Sequence, residues 1–270
     1  MKKGFALLLL ILFLPVSACA DLQVHFLDVG QGDCTVILCG GEAMVVDGGP
    51  RSAADYVYSY IRNTLRLEHI DYVISTHPHV DHVSGLSSVL NAAPVDLLLT
   101  PVLEWDSKAF SDMMKYADRQ GTPVVIPQEG DTLSLGGATV TVLHCWPEAV
   151  DYGRTNDSSI VIRIDYGETS FLITGDAEDW SEYMMIDSGM DLKADVLRIA
   201  HHGSNNATTA EFLRVVQPAC AVISVGKDNT YGHPHTGVLA RLTKAGAQVL
   251  RTDVLGTIVM VSDGKEIKVE

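Results

Sequence analysis

The chain has 270 residues, 47% of them hydrophobic and 20% charged, an ordinary globular composition that can bury a sizeable core. Its formal charge of −15 comes from 34 acidic against 19 basic residues. This balance excludes a basic surface as the source of affinity for long nucleic acids, which depends on Lys and Arg neutralising phosphates.

Met1–Ala20 reads as a targeting segment. Lys2 and Lys3 precede an apolar run from Phe5 to Val16, too short to span a bilayer comfortably, and small residues follow. Two processing routes fit. Ala18-Cys19-Ala20 before Asp21 suits a small-residue cleavage site, which releases a secreted protein, whereas Val16-Ser17-Ala18-Cys19 suits a lipoprotein signal with Cys19 lipidated. A strand begins by Leu22 and leaves almost no tether after Cys19, so the free form is slightly favoured and membrane attachment would run through Cys19 alone. Both place the protein outside the cytoplasm, extracellular or in the cell envelope. Loss of Lys2 and Lys3 takes the formal charge from −15 to −17. Residues 21–270 remain as one large domain or an internally duplicated one, since no linker or low-complexity run divides them.

Short runs at Leu22–Leu27, Thr35–Leu38 and Ala43–Val46 read as strands, punctuated by Gly30-Gln31-Gly32-Asp33 and Gly40-Gly41. Asp33 fits a turn former, in a turn that can approach the functional edge. Cys34 and Cys39 share one strand about 16 Å apart, too far to bridge. Cys145 and Cys220 read as small buried hydrophobes. Helical spacing over Ser52–Leu67 predicts a helix capped by Ser52.

Ile70–Ile74 is a β-branched, buried strand, and it runs directly into Ser75-Thr76-His77-Pro78-His79-Val80-Asp81-His82. Alternation puts His77 and His79 on one side of an extended segment, where both imidazoles reach one ion. Once the chain turns into a helix, Asp81 and His82 point at a neighbouring position. Neutral imidazole with carboxylate suits zinc or another first-row ion. Helices follow through Leu86–Leu90 and over Asp106–Gln120, the second capped at Asp106 and closed by Gly121.

The second half starts again with strands, at Thr132–Leu135, Ala138–Leu143, Ser158–Ile164 and Thr169–Ile173, and then alternates helices with single strands. Such a double pattern predicts two β-sheets sandwiched between helices. Asp176 stands at a strand end, where it can serve a site or cap the helix Ala177–Ser188. The strand Val196–Ala200 ends in His201-His202-Gly203-Ser204, and paired histidines there are poor core filler. Thr208 and Glu211 form a capping box.

His77-x-His79-x-Asp81-His82 after a strand resembles the signature of the metallo-β-lactamase superfamily. The resemblance spans nearly the whole chain past residue 20 and is greatest to its ComEC-like, DNA-uptake (competence) group. It rests also on Val24–Asp33, Val46-Asp47-Gly48-Gly49, Leu172–Glu178, Ala200–Ser204 and Asn229–Pro234. It implies a four-layer αββα sandwich holding one or two Zn²⁺ or Mn²⁺ ions at one edge. It also implies metal ligands His77, His79, Asp81, His82, Asp176 as the bridging carboxylate, and His201. Asp47 then stands behind the ligand loop, and His202 and Ser204 are supporting or substrate-facing. Tyr231-Gly232-His233-Pro234 matches the same group, with His233 donating a proton or holding a phosphate oxygen and Tyr231 stabilising developing charge. Asp81 ligates a metal or orients the attacking water.

One departure stands out. Most superfamily hydrolases carry a further histidine before the bridging aspartate, and here His144 falls on a strand while Asn156 and Asp157 come nearest that place. The second metal position is left more oxygen-rich, which suits Mn²⁺ as well as Zn²⁺. The expected activity is that of an exported metal-dependent hydrolase, a phosphodiesterase or nuclease acting on a small phosphodiester or on single-stranded DNA. The acidity favours the smaller substrate or only local contact with nucleic acid. The alternatives are a β-lactamase or lactonase, and a non-catalytic metal-containing binding protein. A monomer or weak oligomer is expected.

Overall fold

The computed structural model describes residues 21–270, so the targeting segment expected over 1–20, Cys19 included, lies outside the described residues. The first half begins with β1 (Leu22–Phe26), β2 (Thr35–Cys39) and β3 (Glu42–Val46). It continues with α1 (Ala54–Ser59), β4 (Ile70–Ile74), α2 (Val80–Val83), α3 (Leu86–Ala92), β5 (Val95–Leu99), α4 (Lys108–Gln120) and β6 (Val124–Val125). The second half repeats the plan with β7 (Thr132–Leu135), β8 (Ala138–His144), β9 (Val161–Tyr166) and β10 (Thr169–Ile173). After these come α5 (Asp179–Ser188), β11 (Val196–Arg198), α6 (Ala210–Val216), β12 (Cys220–Ile223), α7 (Thr236–Ala245) and β13 (Gln248–Arg251). A short α8 (Thr252–Leu255) then leads to β14 (Ile258–Ser262) and β15 (Ile267–Val269).

The strands form an eight-stranded sheet, β15-β14-β1-β2-β3-β4-β5-β6, and a seven-stranded one, β13-β12-β11-β10-β9-β8-β7. β1-β2-β3 and β8-β9-β10 pair antiparallel, whereas strands joined through α-helices, β3-β4-β5 and β10-β11-β12, pair parallel. Alternation along each strand sorts the side chains. On β3, Met44 and Val46 face the layer between the sheets while Val45 faces the helices. Three apolar clusters result: one between the sheets, one under α1, α3 and α4, and one under α5–α7. This is the αββα sandwich that the sequence pattern predicts. Among the described residues, no helix is long and apolar enough to cross a membrane.

Local expectations needed correction where capping was read from composition. Ser107, not Asp106, caps α4 by accepting the Phe110 N–H. Thr209, not Thr208, caps α6, because Thr208 adopts a left-handed conformation at φ 57°. Ser52 makes no cap, and the predicted helix over 52–67 divides into a 3₁₀ turn, α1 and a π turn at Tyr60–Thr64. None of the four described cysteines, Cys34, Cys39, Cys145 and Cys220, forms a disulfide.

The parallel strands β3, β4, β10, β11 and β12 all deliver their carboxyl ends to one edge of the sandwich, where open sheets place their sites. Two glycines bring that edge together. A Cβ on Gly48 would collide with the backbone of Gly85 and Leu86, and one on Gly85 would strike the Gly48 carbonyl.

Candidate metal centre

After β4 the chain runs into the histidine loop, which Asp47 ties down from the end of β3. Its Oδ1 accepts the Thr76 N–H at 2.8 Å, and its Oδ2 accepts the Thr76 hydroxyl at 2.7 Å. The same Oδ2 accepts the His82 Nδ1–H at 2.8 Å, which leaves the His82 Nε2 lone pair facing inward. That nitrogen is buried, lies 3.3 Å from Asp176 Oδ1, and neither atom has a hydrogen-bond partner. Buried polar atoms left unpaired are rare and call for an explanation. A cation between them supplies one.

The other donors converge on the same carboxylate. His77 Nε2 lies 3.9 Å from Asp176 Oδ2 and 3.1 Å from His79 Nδ1. Nitrogens that share a tetrahedral ion at ~2.0–2.1 Å lie roughly 3.4 Å apart, so this pair suits one metal. His202 gives its Nδ1–H to the Ser224 carbonyl at 2.9 Å, and its Nε2 lies 3.2 Å from Asp81 Oδ2 and 3.8 Å from Asp176 Oδ2. His201 points to the other side. Its Nε2 lies 3.9 Å from Asp176 Oδ2, and its Nδ1 is 3.1 Å from Glu178 Oε1. Asp81 is thus partnered by His202, while His201 lies between Asp176 and Glu178.

Charge follows geometry. Burial holds the His77 and His79 imidazoles below their ordinary pKa, in the neutral form that ligates metals. Burial opposes ionisation of Asp176, yet His82, His202 and His77 hold its carboxyl well below the usual range. For His82 burial again opposes charge, but Asp176, Asp47 and Asp81 raise its pKa well above the ordinary value. The carboxylates therefore favour positive charge at this spot, on a proton or on a divalent cation.

Two residues lie beneath the cluster: Arg198, which was not expected there, and Asp33, which was read as a turn former near this edge. Arg198, fully buried on β11, pairs with Asp33, donates to the Gly175 carbonyl and lies 3.8 Å from Asp176 Oδ1. Burial pulls its pKa down to about 9, which still leaves it charged at neutral pH. Asp33 Oδ2 stands 3.8 Å and 3.7 Å from the Nδ1 atoms of His82 and His202, behind the rings. Asp33 groups with His82, Asp176 and His202 as a set able to hold an ion. Its pairing with Arg198 and its place behind the rings make it the counter-charge of that set. The one visible signal was an arginine inside the apolar run Val196–Ala200.

A cavity of about 350 Å³ opens on the cluster, lined by His79, Asp81, Asn156, Asp176, His201, His202 and His233, with Gln31, Trp105 and Tyr231. Tyr231 is 65% exposed and stacks on His233 with ring centres 5.6 Å apart. Burial and the neighbouring His201, His202 and His235 push His233 down to about 4, so its ring is neutral at neutral pH. Asp157 faces away from the cavity. It binds Arg154 at 2.7 Å and accepts from Glu178 N, Ser181 N and Ser181 Oγ, which fixes the start of α5. Ser204 closes the turn after the histidine doublet, its N–H bonded to the His201 carbonyl at 2.8 Å. His144 is spent on Glu129 and the Asp157 carbonyl.

A family model described as the metallo-beta-lactamase superfamily matches residues 27–227. The chain is 31% identical over 265 residues to ComE operon protein 3 of Bacillus subtilis, covering 92% of this chain and 34% of that protein. It is 38% identical over 233 residues to Competence protein ComA of Neisseria gonorrhoeae, covering 86% and 31%. The chain thus spans about a third of the length of these relatives. Among solved structures, the metallo-beta-lactamase fold protein YhfI from Bacillus subtilis superposes with a TM-score of 0.59 at 12% identity, over 90% of this chain and all of that one.

Proposed function

The chain belongs to the metallo-β-lactamase superfamily, and on that footing we propose that it is a phosphodiesterase that works with two divalent ions, Zn²⁺ or Mn²⁺. The observation that carries this reading is the buried Asp176 carboxylate, ringed within 4 Å by nitrogens of His77, His82 and His202 and left with an unpaired oxygen.

In this proposal His77 and His79 would hold a first ion, Asp81, His82 and His202 a second, and Asp176 would serve both. Ions so held would supply Lewis acidity at a phosphoryl oxygen and lower the pKa of water from 15.7 toward ~7. The chain does the remainder. Asp47 and the Ser224 carbonyl take the Nδ1–H of His82 and His202 and so turn each Nε2 toward Asp176, where an ion would displace any proton held there. Arg198 and Asp33 hold Asp176 and the backs of the rings in place. His233, neutral in its half-buried position, donates an N–H to a non-bridging phosphate oxygen rather than a proton to the leaving group. Trp105 and Tyr231 give the cavity an aromatic wall against which a base or aryl group packs.

A phosphodiester is favoured by the competence-protein relative and by the carboxylate-rich second position. The size of the cavity and the charge of −15 favour a small ester or a short single-stranded segment. Export to the cell envelope belongs to the same proposal. The amino terminus of the purified native protein tests it, Asp21 marking release and an acylated Cys19 anchoring.

The functional test compares bis-p-nitrophenyl phosphate with a fluorescent single-stranded DNA, each with Mn²⁺, Zn²⁺ or chelator. Metal-dependent cleavage of both supports a nuclease, and cleavage of the small ester alone supports a small-molecule phosphodiesterase. Turnover of nitrocefin or a lactone by metal-loaded protein that leaves both phosphodiesters intact would refute the phosphodiester assignment. No turnover of any of them would leave a metal-containing binding protein.

A further inference from the structure

The histidine doublet carries more than one ligand. In the proposed set, the second position has four protein donors and the first has only His77, His79 and Asp176. We propose that His201 supplies the missing donor at the first position through Nε2, so that His201 and His202, neighbours in sequence, serve different ions. The inference rests on the two-ion reading above.

Four observations carry it. His201 Nε2 lies 3.9 Å from Asp176 Oδ2, against 3.9 Å for His77 and 3.8 Å for His202, so His201 reaches the shared carboxylate as closely as the ligands already assigned. Its Nδ1 is 3.1 Å from Glu178 Oε1. A ring that gives one N–H to a carboxylate offers the other nitrogen as a ligand, the arrangement Asp47 imposes on His82. The two members of the doublet also diverge. His202 reaches Asp81 at 3.2 Å, while His201 lies against Asn156, which in turn stands beside His79. The backbone, finally, is left-handed at both residues, with φ/ψ of 49°/44° at His201 and 52°/22° at His202. L-residues with a Cβ avoid that region, and two in succession are rarer still. Here the conformation carries both imidazoles into one cluster, where an extended chain would point them to opposite faces.

The remaining candidates for this place fit less well. His144 is occupied by Glu129 and the Asp157 carbonyl. Asn156 uses its Nδ2 on Glu178 Oε1 at 3.0 Å and so braces the carboxylate that orients His201. With His201 in place the first position has three nitrogens and one oxygen, against two and two at the second. The first then prefers Zn²⁺, and Mn²⁺ is better tolerated at the second.

The test is metal content and affinity, measured without substrate. Full-chain protein is equilibrated with buffered Zn²⁺, and bound zinc is counted by mass spectrometry alongside competition with a chromogenic chelator. Wild type is expected to hold two ions and His201→Ala one. Glu178→Gln, which keeps shape and bulk, is expected to hold two, one of them weakened ~10–100-fold. Two ions of unchanged affinity in both variants would overturn the inference and leave the two-ion reading intact. A wild type that binds no more than one ion at any zinc concentration would overturn both. Matching melting curves in chelator establish that the variants are folded.

Discussion

At the scale of single residues, much of the site depends on side chains that never touch an ion. Asp47 accepts three hydrogen bonds, two from Thr76 and one from His82, and so sets both the path of the loop and the orientation of the His82 ring. Asp47→Asn cannot accept from Thr76 and His82 in the same way, and is expected to weaken metal binding ~10–100-fold while the protein stays folded. Zinc competition against a chelator measures this, and wild-type affinity in the variant would remove Asp47 from the account. Which of these residues could be read in advance follows from distance along the chain. His77, His79, Asp81 and His82 sit within six positions after an apolar strand, so spacing alone groups them. Asp33 and Arg198 are 165 positions apart in number and meet only through packing, and an aspartate after Gly-Gln-Gly reads as a turn former. The divergence of the His201 and His202 rings was hidden for another reason. It is set by two left-handed backbone residues, and nothing in the neighbouring sequence announces them.

At the scale of elements, helix starts show how tertiary contacts override local signals. Thr208-x-x-Glu211 has the form of a capping box, but Glu182 on α5 accepts the Thr208 and Thr209 N–H groups from across the layer, and α6 starts one residue later. Glu182 is buried, and burial raises its pKa from 4.5 to about 7. The sign is that of a folded state that holds the proton more tightly than the unfolded one. Its contribution is fully present below about pH 4.5 and is lost as pH rises through about 7, on the order of 3 kcal/mol in all. Glu182→Gln removes this loss. The melting temperature of wild type should fall between pH 5 and pH 8 more steeply than that of the variant, and parallel curves would contradict the assignment. Ser107→Ala should cost about 1 kcal/mol, against little for Asp106→Ala, since Ser107 holds the cap of α4. Chemical denaturation of the two variants compares them directly, and the reverse order would be wrong for this structure.

At the scale of the whole molecule, the repeated plan of strands followed by alternating helices was legible because each half keeps its own period, two and then 3.6. The pairing of β14 onto β1, with β15 outside it, was not, since a strand that returns to the first sheet after an entire second half leaves no local trace. The consequence of the fold lies at the shared edge. His77 comes from one sheet and Asp176 and His202 from the other, with backbone bonds such as Ile160 N–H to the Thr76 carbonyl at 2.9 Å between them. Ions held there tie the two sheets together. Divalent metal at ~100 times its dissociation constant should then add about 2.7 kcal/mol for each ion, a rise of several degrees in melting temperature. Addition of chelator should reverse it, and a melting temperature indifferent to Zn²⁺, Mn²⁺ and chelator would show that no ion bridges this edge.

The most direct test of the central claim is hydrolysis of bis-p-nitrophenyl phosphate by wild type and by Asp176→Asn, each with saturating Mn²⁺ or Zn²⁺. The substitution keeps the volume of the side chain and removes the charge on which His77, His82 and His202 converge. Metal-dependent turnover in wild type, with its loss in a folded variant, is the predicted result. Wild-type turnover in the variant, or turnover that survives chelation, would contradict a phosphodiesterase centred on Asp176.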